Sequence, residues 1–269
     1  MPKPGFSGGD GRRRRSRSSR YAAARFPNAP GASRITTCSR NIRLERRVVG
    51  DMSASVRVDV WSDIACPWCY IGKRKFEAAL AEFDGAADVT VTYRSFELAP
   101  DTPVDFDGSE VDFLAGYKGM PREQVEQMLR QVSAVAESVG LRYDFDALRH
   151  TKTLLAHQVL HHAKKHGKQL DLVERLFQAY FTEGRHVGRA EELAELAAEV
   201  GLDRDETFRK LQEGTYADAV QDDLRQAKAF GIRGVPFYVF NERYAVSGAQ
   251  QPDVFLQALR KARSEGVSS

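Results

Sequence analysis

The chain has 269 residues, 42% hydrophobic and 29% charged, enough for one large domain or two modest ones with a real core. The net charge of +3 is unevenly split: residues 1–52 hold 13 Lys and Arg against 3 Asp and Glu, and the remainder is net −7. A mildly acidic body gives no basis for a nucleic-acid groove, three cysteines do not make a disulfide scaffold, and no run approaches the ~18 apolar residues of a membrane span.

Residues 1–52 are rich in Arg, Ser, Gly, Pro and Ala, include Arg12-Arg13-Arg14-Arg15, and show neither helical nor strand periodicity. The expectation is a disordered tail. Its nearest apolar stretch, Tyr21-Ala22-Ala23-Ala24, stops at Arg25, short of the roughly 7–15 apolar residues an export signal carries. The expected location is therefore cytoplasmic. Binding of RNA or of an acidic partner and a transit function are the alternatives for the tail. Met52 lies just before the first strand, so the tail is also readable as a mis-assigned start. Cys38 within it reads as an incidental free thiol.

Val56 to Trp61 reads as a buried strand. The stretch Ser62-Asp63-Ile64-Ala65-Cys66-Pro67-Trp68-Cys69-Tyr70 follows, and a helix-like pattern begins at once, with Pro67 at a first-turn position where a missing N–H costs nothing. Cys66 then sits at the positive end of a helix dipole, where anions are stabilised, and the thiolate is the reactive form of cysteine. Two thiols at this spacing can also close a disulfide. Cys66 is expected to be the exposed attacking thiol and Cys69 the more buried resolving one. A lone Cys-x-x-Cys is also half of a zinc site, but a structural zinc needs four ligands and no second pair exists. Zinc and an inert buried pair are the alternatives to redox work. Asp63 is readable as a buried carboxylate passing protons to Cys69, or as a capping or surface group. Trp68 supplies an aromatic surface beside the thiol. Lys73 and Arg74 are expected to be solvated.

The helix runs to about Phe83, with Ile71, Phe76, Leu80 and Phe83 on one face, and Asp84-Gly85 ends it. Val89 to Phe96 alternates as a second strand, and Ala99 to Pro103 is a loop. From about Asp107 to Gly214 the pattern is helical, with one helix between Pro121 and Gly140 and others near Thr151–His166, Gln169–Thr182, Ala190–Val200 and Arg204–Leu211. His157 and His161 have the spacing of a helical zinc pair, but Gln158 stands where the general base of such an enzyme would be. His162, Lys164, Lys165 and His166 read as an exposed basic face, and His157 as a residue facing the cleft between the helical block and the sheet. Tyr216 to Phe230 is a further helix. Pro236 to Phe240 and Tyr244 to Val246 form a hairpin about Asn241-Glu242-Arg243, and Gln251 to Ala262 closes the chain. No phosphate-binding loop, dinucleotide fingerprint or Ser–His–Asp set is present.

This order is strand, helix, strand, helical block, helix, strand, strand, helix. It predicts an α/β fold with one mixed sheet covered by helices. Together with Cys66-Pro67-Trp68-Cys69-Tyr70-Ile71-Gly72-Lys73, Phe96-Glu97-Leu98-Ala99-Pro100, Ala156-His157, Leu176 to Phe181, Gly234-Val235-Pro236-Phe237 and Ser247-Gly248-Ala249-Gln250, it resembles the DsbA branch of the thioredoxin fold, and within it the FrnE-like group. The resemblance covers about residues 56–262. It implies a thioredoxin-like domain from 53–106 and 215–269, interrupted by a helical insertion at 107–214. It also implies a cis Val235–Pro236 bond in a loop facing the dithiol, with Pro67, Trp68, Val235 and Pro236 contacting substrate. The implied activity is thiol–disulfide exchange through Cys66 and Cys69. No bound cofactor or metal is expected; electrons would come from a redox partner protein or a small thiol, glutathione being one candidate. The substrate is expected to be a disulfide- or dithiol-bearing protein or small molecule. A glutathione-dependent transferase or isomerase of the kappa or 2-hydroxychromene-2-carboxylate isomerase type, acting on a small aromatic metabolite, and a chaperone-like binding module are the alternatives. The intact dithiol argues against the former, since those proteins typically have serine where Cys66 stands.

Overall fold

A strand buried along nearly its whole length organises the molecule. The structure is a computed structural model that describes residues 55–266; the expectations for residues 1–52, including Cys38, lie outside them. In β1 (Val56–Ser62) only Arg57 is exposed, the pattern of a central strand covered on both faces. β1 pairs in parallel with β2 (Val89–Ser95) and antiparallel with β3 (Phe237–Phe240), which turns through Asn241 and Glu242 into β4 (Tyr244–Ser247). The sheet order is β2-β1-β3-β4. A parallel pair needs a long crossover, and α1 (Pro67–Ala81) provides it.

Between β2 and β3 lie α2 (Glu110–Lys118), α3 (Arg122–Glu137), α4 (Leu154–Lys165), α5 (Gln169–Phe181), α6 (Ala190–Glu199), α7 (Arg204–Gln212) and α8 (Ala217–Ala229); α9 (Pro252–Gly266) follows the hairpin. Two departures from the sequence expectation have local causes. Ser109 and Asp112 form a capping box that starts α2 as a helix of its own, and Gly119, at φ 63°, ends it. α4 begins at Leu154, not Thr151, because the Thr151 hydroxyl donates to the Val104 carbonyl (2.6 Å) and the Lys152 N–H to the Pro103 carbonyl (3.2 Å). Those bonds hold the preceding chain extended along the 100–105 loop. No helix among the described residues is long and apolar enough to cross a membrane.

α1 and α9 cover one face of the sheet, where Phe76, Tyr238 and Phe255 interlock with ring centres 4.7–5.6 Å apart. Trp61, Ala227, Ile232 and Val239 fill the opposite face, as strand alternation requires. Side chains of the helical segment finish the β2 edge. Gln169 accepts from the Tyr93 N–H and donates to the Tyr93 carbonyl, both at 3.0 Å. Asp223 accepts from the Ser95 N–H at 2.9 Å and faces Arg94 and His161 at 3.2 and 3.0 Å. The expected basic face of α4 is corrected at His162, which is buried with Nδ1 3.1 Å from the Tyr216 hydroxyl; its charged form would lose hydration there, and burial pushes its pKa down. Lys164, Lys165 and His166 are exposed.

One residue sets how closely α1 approaches β3. A Cβ on Gly72 would lie 2.8 Å from the Tyr238 hydroxyl and 3.0 Å from Pro236 Cγ. Glycine within a helix usually costs roughly 0.5–1 kcal/mol against alanine. Here the balance reverses: Gly72→Ala should destabilise the fold by about 1–3 kcal/mol, measured by urea unfolding. A stability gain would show that the contact is not tight.

Candidate active site

Pro67 starts α1 and makes Cys66 its N-cap, with φ −95° and ψ 110°. No side chain caps the helix and no acidic residue lies in its first turn. Cys66 therefore holds, alone, the place at which helices accept anions. The Val235–Pro236 peptide bond is cis, and the loop it shapes brings the Val235 carbonyl over the dithiol, 3.7 Å from Cys66 Sγ. Pro236 packs beneath, against α1 at Gly72. Cys66, Cys69, Val235 and Pro236, far apart in the chain, thus meet at one point.

Both cysteines are free thiols. The expected contrast in exposure needs correction: Cys66 is only 4% exposed and Cys69 1%, because the Val235 loop lies over the first sulfur. The asymmetry lies elsewhere. Burial pushes the Cys69 thiol well up, and the adjacent Cys66 sulfur, within hydrogen-bonding reach, adds to this; the Ser62 hydroxyl and the Asp63 backbone oppose it weakly. Cys69 therefore keeps its proton at neutral pH, as suits a thiol that acts second. Cys66 lines a cavity and Cys69 does not.

Asp63 is neither a surface group nor a simple cap. It is buried and accepts from the N–H groups of Leu98 (2.8 Å) and Ala65 (3.2 Å). His157 Nε2 lies 3.5 Å from its carboxylate, at ion-pair distance but without hydrogen-bond alignment. Burial alone would push Asp63 up; His157, the Leu98 N–H and Thr153 together bring it below the usual carboxylate range. Glu97, one residue before Leu98, moves the other way: burial raises it, the Asp63 charge adds, and His157 and Lys152 oppose. One Glu97 oxygen is buried with no partner. His157 and His161 face Asp63 and Asp223, not each other's ligand, and no metal-suited cluster of His, Cys, Asp or Glu occurs among the described residues.

The helical segment closes over the site through residues that no local signal marks. The Tyr143 hydroxyl donates to the Pro67 carbonyl at 2.7 Å. Tyr70 stacks on Phe177 at 4.9 Å and donates to Glu174 at 2.7 Å. Lys73, expected to be solvated, is buried between Glu77 and Glu174, each at 2.5 Å, and Arg74 also pairs with Glu174. Their charge is thus balanced by Glu77 of α1 and Glu174 of α5. Beside Cys66 opens a cavity of about 210 Å³ between α1 and the helical segment, lined by Pro67, Trp68, Leu98, Thr102, Phe113, Leu114, Leu129 and His150 among others. Trp68, Leu98 and Tyr117, exposed by 41, 38 and 58%, stand at its rim.

Comparison with known proteins agrees with this fold. The DSBA-like thioredoxin domain matches residues 57–260. The uncharacterized protein YwbO of Bacillus subtilis (strain 168) is 31% identical over 209 residues, 76% of this chain and 96% of its own. The crystal structure of the probable DsbA oxidoreductase SCO1869 from Streptomyces coelicolor superposes with a TM-score of 0.73 at 41% identity, over 78% of this chain and 91% of that one. A 2-hydroxychromene-2-carboxylate isomerase shares the fold at 16% identity, with a TM-score of 0.61 over 79% of this chain and 99% of its own.

Two measurements check the electrostatics. Iodoacetamide at pH 7.5 should alkylate Cys66 at least about tenfold faster than Cys69, read by peptide mass spectrometry; equal rates would contradict the asymmetry. Asp63→Asn should cost about 1.5–3 kcal/mol at pH 7, because the N–H groups of Leu98 and Ala65 lose a charged acceptor. The Asp63 carboxyl is depressed in the fold, so its contribution is present above its unfolded pKa near 3.8 and is lost as pH falls through the lower folded value. The stability gap between variant and wild type should therefore narrow below about pH 4; a gap constant down to pH 2 would count against a stabilising Asp63 carboxylate.

Proposed function

The chain belongs to the DSBA-like thioredoxin domain family, and from that premise we propose that it is a thiol–disulfide oxidoreductase acting through Cys66 and Cys69. The observation that carries the reading is the meeting of three things at one point: an uncapped helix start occupied by Cys66, a second thiol within reach of it, and a backbone carbonyl, that of Val235, held beside the sulfur. The similarity to SCO1869 at 41% identity supports it.

In the proposed cycle the Cys66 thiolate attacks a disulfide and forms a mixed disulfide. Cys69 gives up its proton and attacks Cys66 Sγ. The products are the reduced substrate and a Cys66–Cys69 disulfide. The reverse sequence oxidises a dithiol. The Val235 backbone, whose carbonyl lies 3.7 Å from Cys66 Sγ, pairs with an extended substrate segment that enters beside Cys66. A redox partner or a small thiol such as glutathione restores the dithiol. In a thiol-reducing compartment such as the cytoplasm this favours reduction or isomerisation over bulk oxidation. The motif around Cys66 and the Phe96 to Pro100 segment support placement in the FrnE-like group.

Trapping tests the proposal. The Cys69→Ser variant, expressed in the native cell, should accumulate mixed disulfides through Cys66 that mass spectrometry identifies and that Cys66→Ser lacks. Its turnover with a disulfide substrate should fall to the uncatalysed rate. Full activity of Cys69→Ser with glutathione and an electrophile would instead favour a transferase, which needs one catalytic group.

A further inference from the structure

The cavity beside Cys66 is more enclosed than exchange with an extended polypeptide requires. A void of ~150 Å³ already holds a benzene ring, so about 210 Å³ holds a ring with a substituent and little else. One wall is flat: Phe113 stacks on His150 with ring centres 3.3 Å apart and on Tyr117 at 5.4 Å. Each of the two carboxylates that line the cavity faces a histidine, Glu110 the Nδ1 of His150 at 2.7 Å and Asp63 the Nε2 of His157 at 3.5 Å. Lys118, the one lysine in the lining, is exposed and stays hydrated, so the enclosed part of the lining fits a neutral ligand better than an ionic one. Thr102, also in the lining, has a buried hydroxyl with no hydrogen-bond partner.

Resting on the thiol–disulfide reading, we propose that this cavity holds the ring of a neutral, low-molecular-weight aromatic disulfide and presents its sulfur to Cys66. The Cys66 thiolate attacks that sulfur; the substrate S–S bond breaks as the Cys66–substrate bond forms, and the first aryl thiolate leaves and takes a proton. Cys69, losing its proton to solvent, attacks Cys66 Sγ and releases the second aryl thiolate, which is protonated in turn. Two electrons pass from the dithiol to the substrate, and a small thiol restores it.

The test measures the reaction of the reduced full-length protein with bis(4-hydroxyphenyl) disulfide, bis(2-hydroxyethyl) disulfide and a disulfide-linked peptide carrying tyrosine beside its cysteine. Each rate constant is divided by that of dithiothreitol with the same compound. The normalised preference for the aromatic over the aliphatic disulfide should be at least about tenfold, and Leu114→Trp, which fills the cavity, should reduce that ratio by a similar factor. The redox-inert phenol p-cresol should bind Cys66→Ser in calorimetry and slow the aromatic reaction of the wild type, a readout independent of how the Leu114 variant folds. Exchange with the aliphatic disulfide, without aromatic preference and without p-cresol binding, would overturn this inference and leave the exchange reading standing. An equal preference for the tyrosine peptide, equally lost in Leu114→Trp, would assign the cavity to a polypeptide side chain and overturn it as well. Exchange with none of the three would overturn both.

Discussion

A helix start and a strand start are pressed together at one point, and the site exists because they are. α1 can lie this close to the head of β3 only where its inner face carries no side chain, at Gly72. That approach brings the Val235 carbonyl to Cys66 Sγ. The same approach buries both thiols, so access alone does not distinguish them. Position on the helix does: the first sulfur stands at the helix start and lines a cavity, and the second is sunk behind it, where burial holds its proton.

The helical segment completes what the sheet begins. Tyr143 fastens the first turn of α1 at Pro67, and Glu174 gathers Tyr70, Lys73 and Arg74 one turn further on. The cationic side chains nearest to the dithiol in sequence are thereby engaged with α5. Beneath the loop that carries Glu97 and Leu98, Asp63 and Glu97 share one histidine, and their pKa values are driven apart, Asp63 below and Glu97 above the ordinary range. That leaves one carboxylate fixed as an anion and its neighbour more ready to hold a proton, a division found where buried acids are placed in different surroundings.

Most of the architecture was legible because its signals are local. Val56, Val58 and Val60 at alternate positions before Trp61, Pro67 after Cys66, and the glycines after the helices each report their own neighbourhood. So did the dithiol, since two cysteines and a helix start lie within five residues. The burial of Cys66, the inward turn of His162, the capture of Lys73 and the pairing of Asp63 with His157 were not legible. Each depends on which distant element is laid against the residue, and a periodicity holds no record of that. Thr151 illustrates the limit: its helical pattern is sound, but a carbonyl 47 residues away claims its hydroxyl. The lining of the cavity is hidden in the same way, because Phe113, Leu114 and His150 read as ordinary helix-face or loop residues until α2 and α3 fold over α1.

Gln169 has a meaning for the life of the molecule in a crowded cell. With both ends of its amide engaged on the Tyr93 backbone, it stands in for one residue of a neighbouring strand that is not there. A bare outer strand recruits foreign strands and seeds ordered aggregates. Here the rim is stoppered by side chains of the chain itself, first at Tyr93 and then at Ser95 through Asp223. This stopper keeps foreign extended chains from annealing to the flank of the sheet at these positions.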